Sequence, residues 1–176
     1  MKTLCACLVL VLVMTFATPL LSFAVEYPQY PLRLSITTNG LYGVPGYFVP
    51  GSTLEVSLNI QNPGLPAVVD FYFGAVLLDG DTAVFFTDPF SFASEVGSLA
   101  NPATLRPIVA GVDLTRPFTF SQPTFFSQTM PGGGPCCWYY LFVSAVKSGA
   151  LVDNVIEASD ILGLSTAAVF FDPWGY

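Results

Sequence analysis

The chain has 176 residues, of which 53% are hydrophobic, 15% aromatic and only 10% charged, and its formal net charge is −7. It contains no histidine, which excludes Ser-His-Asp and Cys-His catalytic arrangements and histidine-based zinc or copper sites. Its five basic residues are scattered along the chain, so it lacks the basic stripe that binding to nucleic acid requires.

Residues 1–24 are predicted to be a cleavable signal peptide. Lys2 supplies a positive start, Leu4–Phe23 carries no charge, and Ser22-Phe23-Ala24 places small residues where a signal peptidase cleaves. The alternative is a retained membrane anchor, because about 20 apolar residues can span a bilayer. The small residues at the end of the run favour cleavage.

The remaining residues, 25–176, match the length of one domain. They contain four basic residues against twelve acidic ones, a net charge of −8. We therefore expect a secreted, periplasmic or cell-surface protein with no membrane insertion after cleavage. The small number of charges also predicts some exposed apolar surface, which often marks a contact site.

Alternating apolar and polar residues predict strands in the first half of the domain. Leu32–Thr38 and Leu54–Ile60 both alternate with period two. Val68–Leu78 and Thr82–Thr87 flank a tight Asp-Gly-Asp sequence, Asp79–Asp81, which predicts a β-hairpin. The same aspartates suggest a calcium site or a carboxylate pair as the alternative, but no longer acidic loop accompanies them, and the turn is favoured.

The second half is less regular at first. Asp88–Leu105 has two prolines and no clear period, and we interpret it as a contact loop that holds at most a short helix around Ala93–Leu99. Further apolar runs predict strands at Ile108–Leu114, Phe118–Phe120, Pro123–Thr129, Cys137–Val146 and Ser165–Phe171. About seven to nine short strands with turns between them predict an all-β, antiparallel sandwich with Greek-key connections.

The cysteines of the domain, Cys136 and Cys137, are adjacent. Three interpretations remain open for this thiol pair: a strained vicinal disulfide, pairing with another chain, or two buried thiols. Inert or structural thiols are the first choice and intermolecular pairing the second. A redox site ranks last, because the domain has no C-x-x-C spacing.

Four aromatic residues lie in the strongest predicted strand. Trp138, Tyr140 and Phe142 share one face because strand side chains alternate, and we assign that face to the core. Tyr139 then points outward and is the candidate exposed contact. The alternative is that the three-residue face is exposed and stacks on sugars.

The order of these elements resembles the immunoglobulin-like β-sandwich modules of secreted bacterial proteins. The resemblance rests on Leu54–Asn62, on Asp70–Val76 leading into the Asp79-Gly80 turn, on Trp138-Tyr139-Tyr140 after a glycine-rich turn, and on Ser165–Phe171. The spaced Cys-Trp-Cys set of true immunoglobulin domains is absent. The resemblance implies a binding or positioning role and carries over no site residue.

The sequence therefore predicts a secreted, non-catalytic binding module for a protein or glycan partner at the cell surface. We assign no catalytic residue, no cofactor and no metal ligand. A structural subunit of an extracellular assembly, with homo-oligomer contacts, is the main alternative. A hydrolase that uses carboxylates alone and a proteinase inhibitor are further alternatives.

Overall fold

The structure is a computed structural model that describes residues 30–40, 44–77, 80–88, 91, 93–133 and 136–175. The predicted signal peptide and its cleavage site lie outside the described residues and stay predictions. Within the described ranges, no helix has the length and apolar character needed to cross a membrane.

The described chain folds into ten strands and two short 3-10 turns. The turns are Pro102–Thr104 and Ala150–Asp153. The strands are β1 (Arg33–Thr38), β2 (Tyr47–Phe48), β3 (Thr53–Asn62), β4 (Val68–Val76), β5 (Thr82–Phe86), β6 (Ser94–Ser98), β7 (Val109–Asp113), β8 (Phe118–Thr129), β9 (Cys137–Lys147) and β10 (Ile161–Phe171).

These strands form two sheets. The smaller sheet has the order β1-β3-β8, and the larger has the order β2-β10-β9-β4-β5-β6, with β7 paired to the first part of β4. All pairs are antiparallel except β2 with β10. The predicted class, an all-β and largely antiparallel sandwich, is confirmed. The strands include the two-residue β2, so their number is slightly higher than expected.

The predicted hairpin between β4 and β5 is confirmed. The amide of Leu77 donates to Thr82 O at 2.9 Å, and the amide of Gly80 donates to Leu77 O at 3.0 Å. Gly80 has φ +74°, a left-handed conformation that glycine adopts without steric cost. Asp79 lies outside the described residues.

Two predicted element assignments in the middle of the chain are wrong. The segment around Ala93–Leu99, for which the sequence allowed at most a short helix, forms β6, which pairs with β5 along its whole length. The two strands expected around Pro123 are one strand, β8, because the proline falls in a shift of register between Val56/Phe126 and Leu58/Gln122. Proline has no N–H to donate, so a bulge is where a strand tolerates it.

The main core fills the space between the sheets. Phe73 is fully buried at its centre and meets Phe125 and Phe126 edge to face, at centroid distances of 5.1 and 5.6 Å. Its ring also stacks on Phe86 at 5.1 Å. Burying a side chain of this size contributes roughly 1.5–3 kcal/mol, so this aromatic group is a major source of stability.

A second apolar cluster lies on the outer face of the larger sheet. Tyr72 of β4, Phe85 of β5 and Phe142 of β9 all belong to it. Leu105 and Leu151, from the irregular segments near the two 3-10 turns, pack onto them. The larger sheet is therefore covered on both faces over part of its area, and this second cluster determines where a site can form.

Candidate functional site: the outer face of the larger sheet

The side chains of β9 alternate between the core and the outer face. Leu141, Val143 and Ala145 belong to the main core between the sheets. Tyr139 has the same parity and packs against that core, partly buried. Trp138 and Tyr140 point to the opposite face and are 47% and 50% exposed.

The assignment of the two faces of β9 in the sequence analysis is therefore wrong. Trp138, Tyr140 and Phe142 do share a face, but it is the outer one, and Tyr139 is not the exposed contact. From Leu141 to Val146 every residue is buried, because the outer face is covered there as well. A strand that is buried on both faces has apolar residues on both, so it lacks the alternation that distinguishes the core face from the outer face. The sequence pattern therefore does not determine which face of β9 points into the core.

Four aromatic residues lie on this outer face, and three of them are in ring contact. We call Tyr47, Trp138, Tyr140 and Phe170 the aromatic strip. Register pairs Phe170 with Tyr47 on one side and with Trp138 on the other. The ring of Phe170 stacks on Tyr47 at 5.9 Å and meets Trp138 edge to face at 5.1 Å. The strip thus crosses three adjacent strands, β2, β10 and β9.

A carboxylate borders the aromatic strip. The hydroxyl of Tyr47 donates to Asp172 Oδ2 at 3.0 Å. The other carboxylate oxygen, Oδ1, accepts from the amides of Trp174 and Gly175 at 3.0 and 3.3 Å. These bonds hold the Tyr47 ring in place beside Phe170, so the end of the strip is a prearranged surface.

Cys136 and Cys137 form a vicinal disulfide next to the strip. Neighbouring side chains of a regular strand point to opposite faces, which would keep the two sulfurs apart. Cys137 instead has φ 103°, in a region that L residues rarely adopt. Of the three interpretations that the sequence left open, the structure shows the vicinal disulfide. This disulfide immediately precedes Trp138 in the chain.

An apolar cavity of about 300 Å³ lies beside the strip on the same face. We call it the outer-face cavity. Its floor is formed by outward-facing residues of β4, β5, β9 and β10, and its other walls come from irregular segments. The lining residues are Tyr72, Val76, Phe85, Leu99, Leu105, Phe142, Ser144, Val146, Leu151, Ile156, Ile161, Leu164 and Thr166.

Two irregular segments, Leu99–Leu105 and Leu151–Ile156, cover this cavity, and we call them the roof segments. The amide of Ala103 in one donates to the side-chain carbonyl of Asn154 in the other at 3.0 Å. Asn154 has φ +63°, which asparagine tolerates better than most residues. The roof is therefore tied together by a specific hydrogen bond.

Part of the predicted contact loop contributes to this site. The end of Asp88–Leu105 supplies Leu99 and Leu105, which line the outer-face cavity. The remainder includes β6, where Val96 is highly exposed. The sequence thus predicted a contact role for one roof segment. The other, Leu151–Ile156, has only a short apolar pattern, and the sequence predicted no function for it.

Tyr72 marks the polar end of the cavity. Burial raises the pKa of its phenol, the negative charge of Asp70 raises it further, and Arg106 lowers it. Tyr72 also lines an adjoining, more polar cavity of about 340 Å³ together with Asp70. The two cavities share Tyr72, Leu105 and Leu151 as walls.

The carboxylates of Asp70 and Asp81 serve as hydrogen-bond acceptors between neighbouring segments of the fold. Asp70 accepts from the Gly111 amide at 2.8 Å and from the Ser148 hydroxyl. Asp81 accepts from the Ser98 hydroxyl and the Ala100 amide, both at 2.8 Å. In the part of the chain that the structure describes, no three Cys, Asp or Glu residues are grouped so as to hold a metal ion.

Comparison with known proteins adds little to this geometry. No protein-family model and no curated protein matches the chain. Among solved structures, the chain is similar to the CARDB domain of a Pyrococcus furiosus protein, determined in complex with di-metal ions. The similarity covers 81% of this chain and 94% of that one, at 12% identity and a TM-score of 0.33. At this level it carries no argument about function, and the fold assignment rests on the two facing sheets themselves.

Proposed function

We propose that this protein is a secreted, non-catalytic β-sandwich module that binds a glycan at the cell surface through the aromatic strip. The observation that carries this proposal is the prearranged row of Tyr47, Phe170 and Trp138 across three strands. Tyr47 and Phe170 are partly buried in it, while Trp138 and the neighbouring Tyr140 are about half exposed. Aromatic faces bury large apolar area at low entropic cost, and the C–H-rich faces of sugar rings stack on such surfaces.

The arrangement of the strip supports a repeating ligand. Trp138 and Tyr140 lie two residues apart on one face of β9, which places their Cα atoms roughly 6.6 Å apart. Both residues are about half exposed, so part of each side chain is accessible to a ligand. Asp172 and the Tyr47 hydroxyl add polar groups at one end, where they lie within reach of sugar hydroxyls.

The chemistry of the chain supports a binding role over a catalytic one. The sequence has no histidine, and the carboxylates of Asp70, Asp81 and Asp172 accept hydrogen bonds from backbone amides and from hydroxyls. Glycoside hydrolysis by carboxylates alone requires two of them on opposite sides of a cleft. The aromatic strip lies on the outer face of a sheet and is bordered by the carboxylate of Asp172.

Affinity electrophoresis in gels that contain cellulose derivatives, soluble chitin or xylan tests this proposal. We expect at least one of these polysaccharides to retard the protein. Trp138→Ala removes a central ring and is expected to weaken binding about tenfold, because interface tryptophans commonly contribute more than about 1.4 kcal/mol. The matched control is Phe120→Ala, which removes an exposed ring from the smaller sheet and should leave the retardation unchanged.

The proposal fails if none of these polysaccharides retards the protein, or if Trp138→Ala and Phe120→Ala bind equally well. A protein partner is the competing outcome. A pull-down from the native envelope that recovers one protein with the unmodified chain, and loses it with Trp138→Ala, would replace the glycan by that protein while keeping the strip as the contact surface.

A further inference from the structure

The outer-face cavity has the size and shelter of a small-ligand site. Its volume, about 300 Å³, is at the lower end of the range for ligand pockets in proteins. An apolar cavity of about 150 Å³ takes up benzene, so twice that volume accommodates roughly ten to twelve non-hydrogen atoms.

The lining of the cavity selects for an apolar occupant. None of the lining residues is charged, and the polar ones are Tyr72, Ser144 and Thr166. The Ser144 hydroxyl already donates to the carbonyl of Gly163, at 3.3 Å. Water inside such a cavity finds few partners and is readily displaced, whereas a charged group inside it would lose its hydration without compensation.

The mouth of the cavity is apolar and open. Ile156 and Leu164 line it and are each 38% exposed. Thr166, which also lines it, is exposed on the outer face of β10. A ligand therefore has a path between the end of the second roof segment and the surface of β10.

The charges around the mouth disfavour an anion. Three acidic residues flank the lining positions in sequence: Asp153 lies within the second roof segment, Glu157 follows Ile156, and Asp160 precedes Ile161. Two basic residues also follow lining positions in sequence, Arg106 after Leu105 and Lys147 after Val146. Arg106 lies 3.8 Å from the Glu95 carboxylate, and its guanidinium donates to the carbonyls of Ala103 and Leu105. Lys147 is the next residue after Val146 on β9, so its side chain has the opposite parity to the lining residues of that strand. A negatively charged head group at the mouth would meet net repulsion.

We infer that the outer-face cavity binds a small apolar molecule of roughly ten to twelve non-hydrogen atoms that carries no negative charge. This site is separate from the aromatic strip, and it does not depend on the glycan-binding proposal. The roof segments separate the apolar floor of the cavity from water. The hydrogen bond between Ala103 and Asn154 joins the two segments to each other.

Isothermal titration calorimetry with 1-decanol, and with decanoate as the matched anion, tests this inference on the protein secreted by an exporting host. We expect 1-decanol to bind at one site and decanoate to bind at least about tenfold more weakly at low salt. Thr166→Phe places a ring in the cavity and should weaken 1-decanol binding by more than about tenfold. Ala168→Phe adds the same ring to the same face of β10 outside the lining, and should leave that binding intact.

Several results would overturn the inference. They are absence of 1-decanol binding, equal loss in Thr166→Phe and Ala168→Phe, and decanoate binding as tight as that of 1-decanol. Binding that appears only after removal of a retained N-terminal segment would overturn it too, because the chain's own apolar leader would then be the natural occupant. None of these results bears on the aromatic strip, whose test uses polysaccharides and Trp138→Ala.

Discussion

The ring of Phe142 lies directly against Gly74 on the outer face of the larger sheet. The two residues are paired in register across β9 and β4. A Cβ atom at position 74 would lie 3.2 Å from two carbons of the Phe142 ring and 2.3 Å from the carbonyl oxygen of Val84. The absence of a side chain at Gly74 thus leaves room for the Phe142 ring, which forms part of the floor of the outer-face cavity.

Gly74→Ala is therefore expected to destabilise the protein by about 1–3 kcal/mol, because the added methyl group forces the backbone of β5 to shift. Chemical denaturation measures the effect. Gly132→Ala is the control, since a Cβ there meets no atom within 4 Å and should change stability by less than about 0.5 kcal/mol. Equal stabilities of the two variants would contradict the packing described for Phe142.

Asn62 ties the end of β3 to the connection before β8. Its buried side-chain amide donates to the carbonyls of Leu114 and Arg116 at 2.9 and 2.8 Å, and its carbonyl accepts from the Gly64 amide at 3.1 Å. Asn62→Asp replaces the donor by an oxygen that faces those two carbonyls.

We expect Asn62→Asp to cost about 3 kcal/mol or more at neutral pH, because two hydrogen bonds are lost and a buried charge is left unpaired. The loss should become smaller in acid, where the carboxyl is protonated. The neighbouring exposed residue provides the control, Gln61→Glu, with a change below about 0.5 kcal/mol. Urea unfolding at two pH values would contradict this account if both variants behaved alike.

The raised pKa values of two tyrosines, Tyr72 and Tyr139, predict that the protein loses stability at alkaline pH. Burial raises the pKa of Tyr72, as does Asp70, while Arg106 lowers it, and burial raises the pKa of Tyr139. In the unfolded chain a tyrosine ionises near pH 10. The pKa values of Tyr72 and Tyr139 are higher in the folded protein. The stability that these two neutral phenols contribute is therefore complete below pH 10 and is lost as the pH rises from there through their folded-state pKa values.

The double substitution of Tyr72→Phe and Tyr139→Phe should therefore flatten the alkaline fall of the melting temperature. Thermal melts followed by circular dichroism between pH 8 and pH 11 provide the measurement, and an unchanged slope in the double variant would contradict the buried environment of these phenols.

Local patterns predicted the strands well, while the site depended on pairings that are distant in sequence. The alternation of Leu54–Ile60 and the glycine turn before β5 are local signals, and both were interpreted correctly. The alternation of β9 does not reveal its outer face, because the roof segments cover that face while the core between the sheets covers the other. Tyr47 and Phe170 lie 123 positions apart, and only the parallel pairing of β2 with β10 brings them together, so no local pattern predicts the aromatic strip.

The orientation of β9 underlies every site described above, because a slip of one residue would turn the strip inward and Tyr139 outward. Hydroxyl-radical footprinting with mass spectrometry measures that orientation residue by residue. We predict rapid modification of Trp138 and Tyr140 and several-fold slower modification of Tyr139. Modification of Tyr139 as fast as that of Tyr140, with Trp138 protected, would contradict the account.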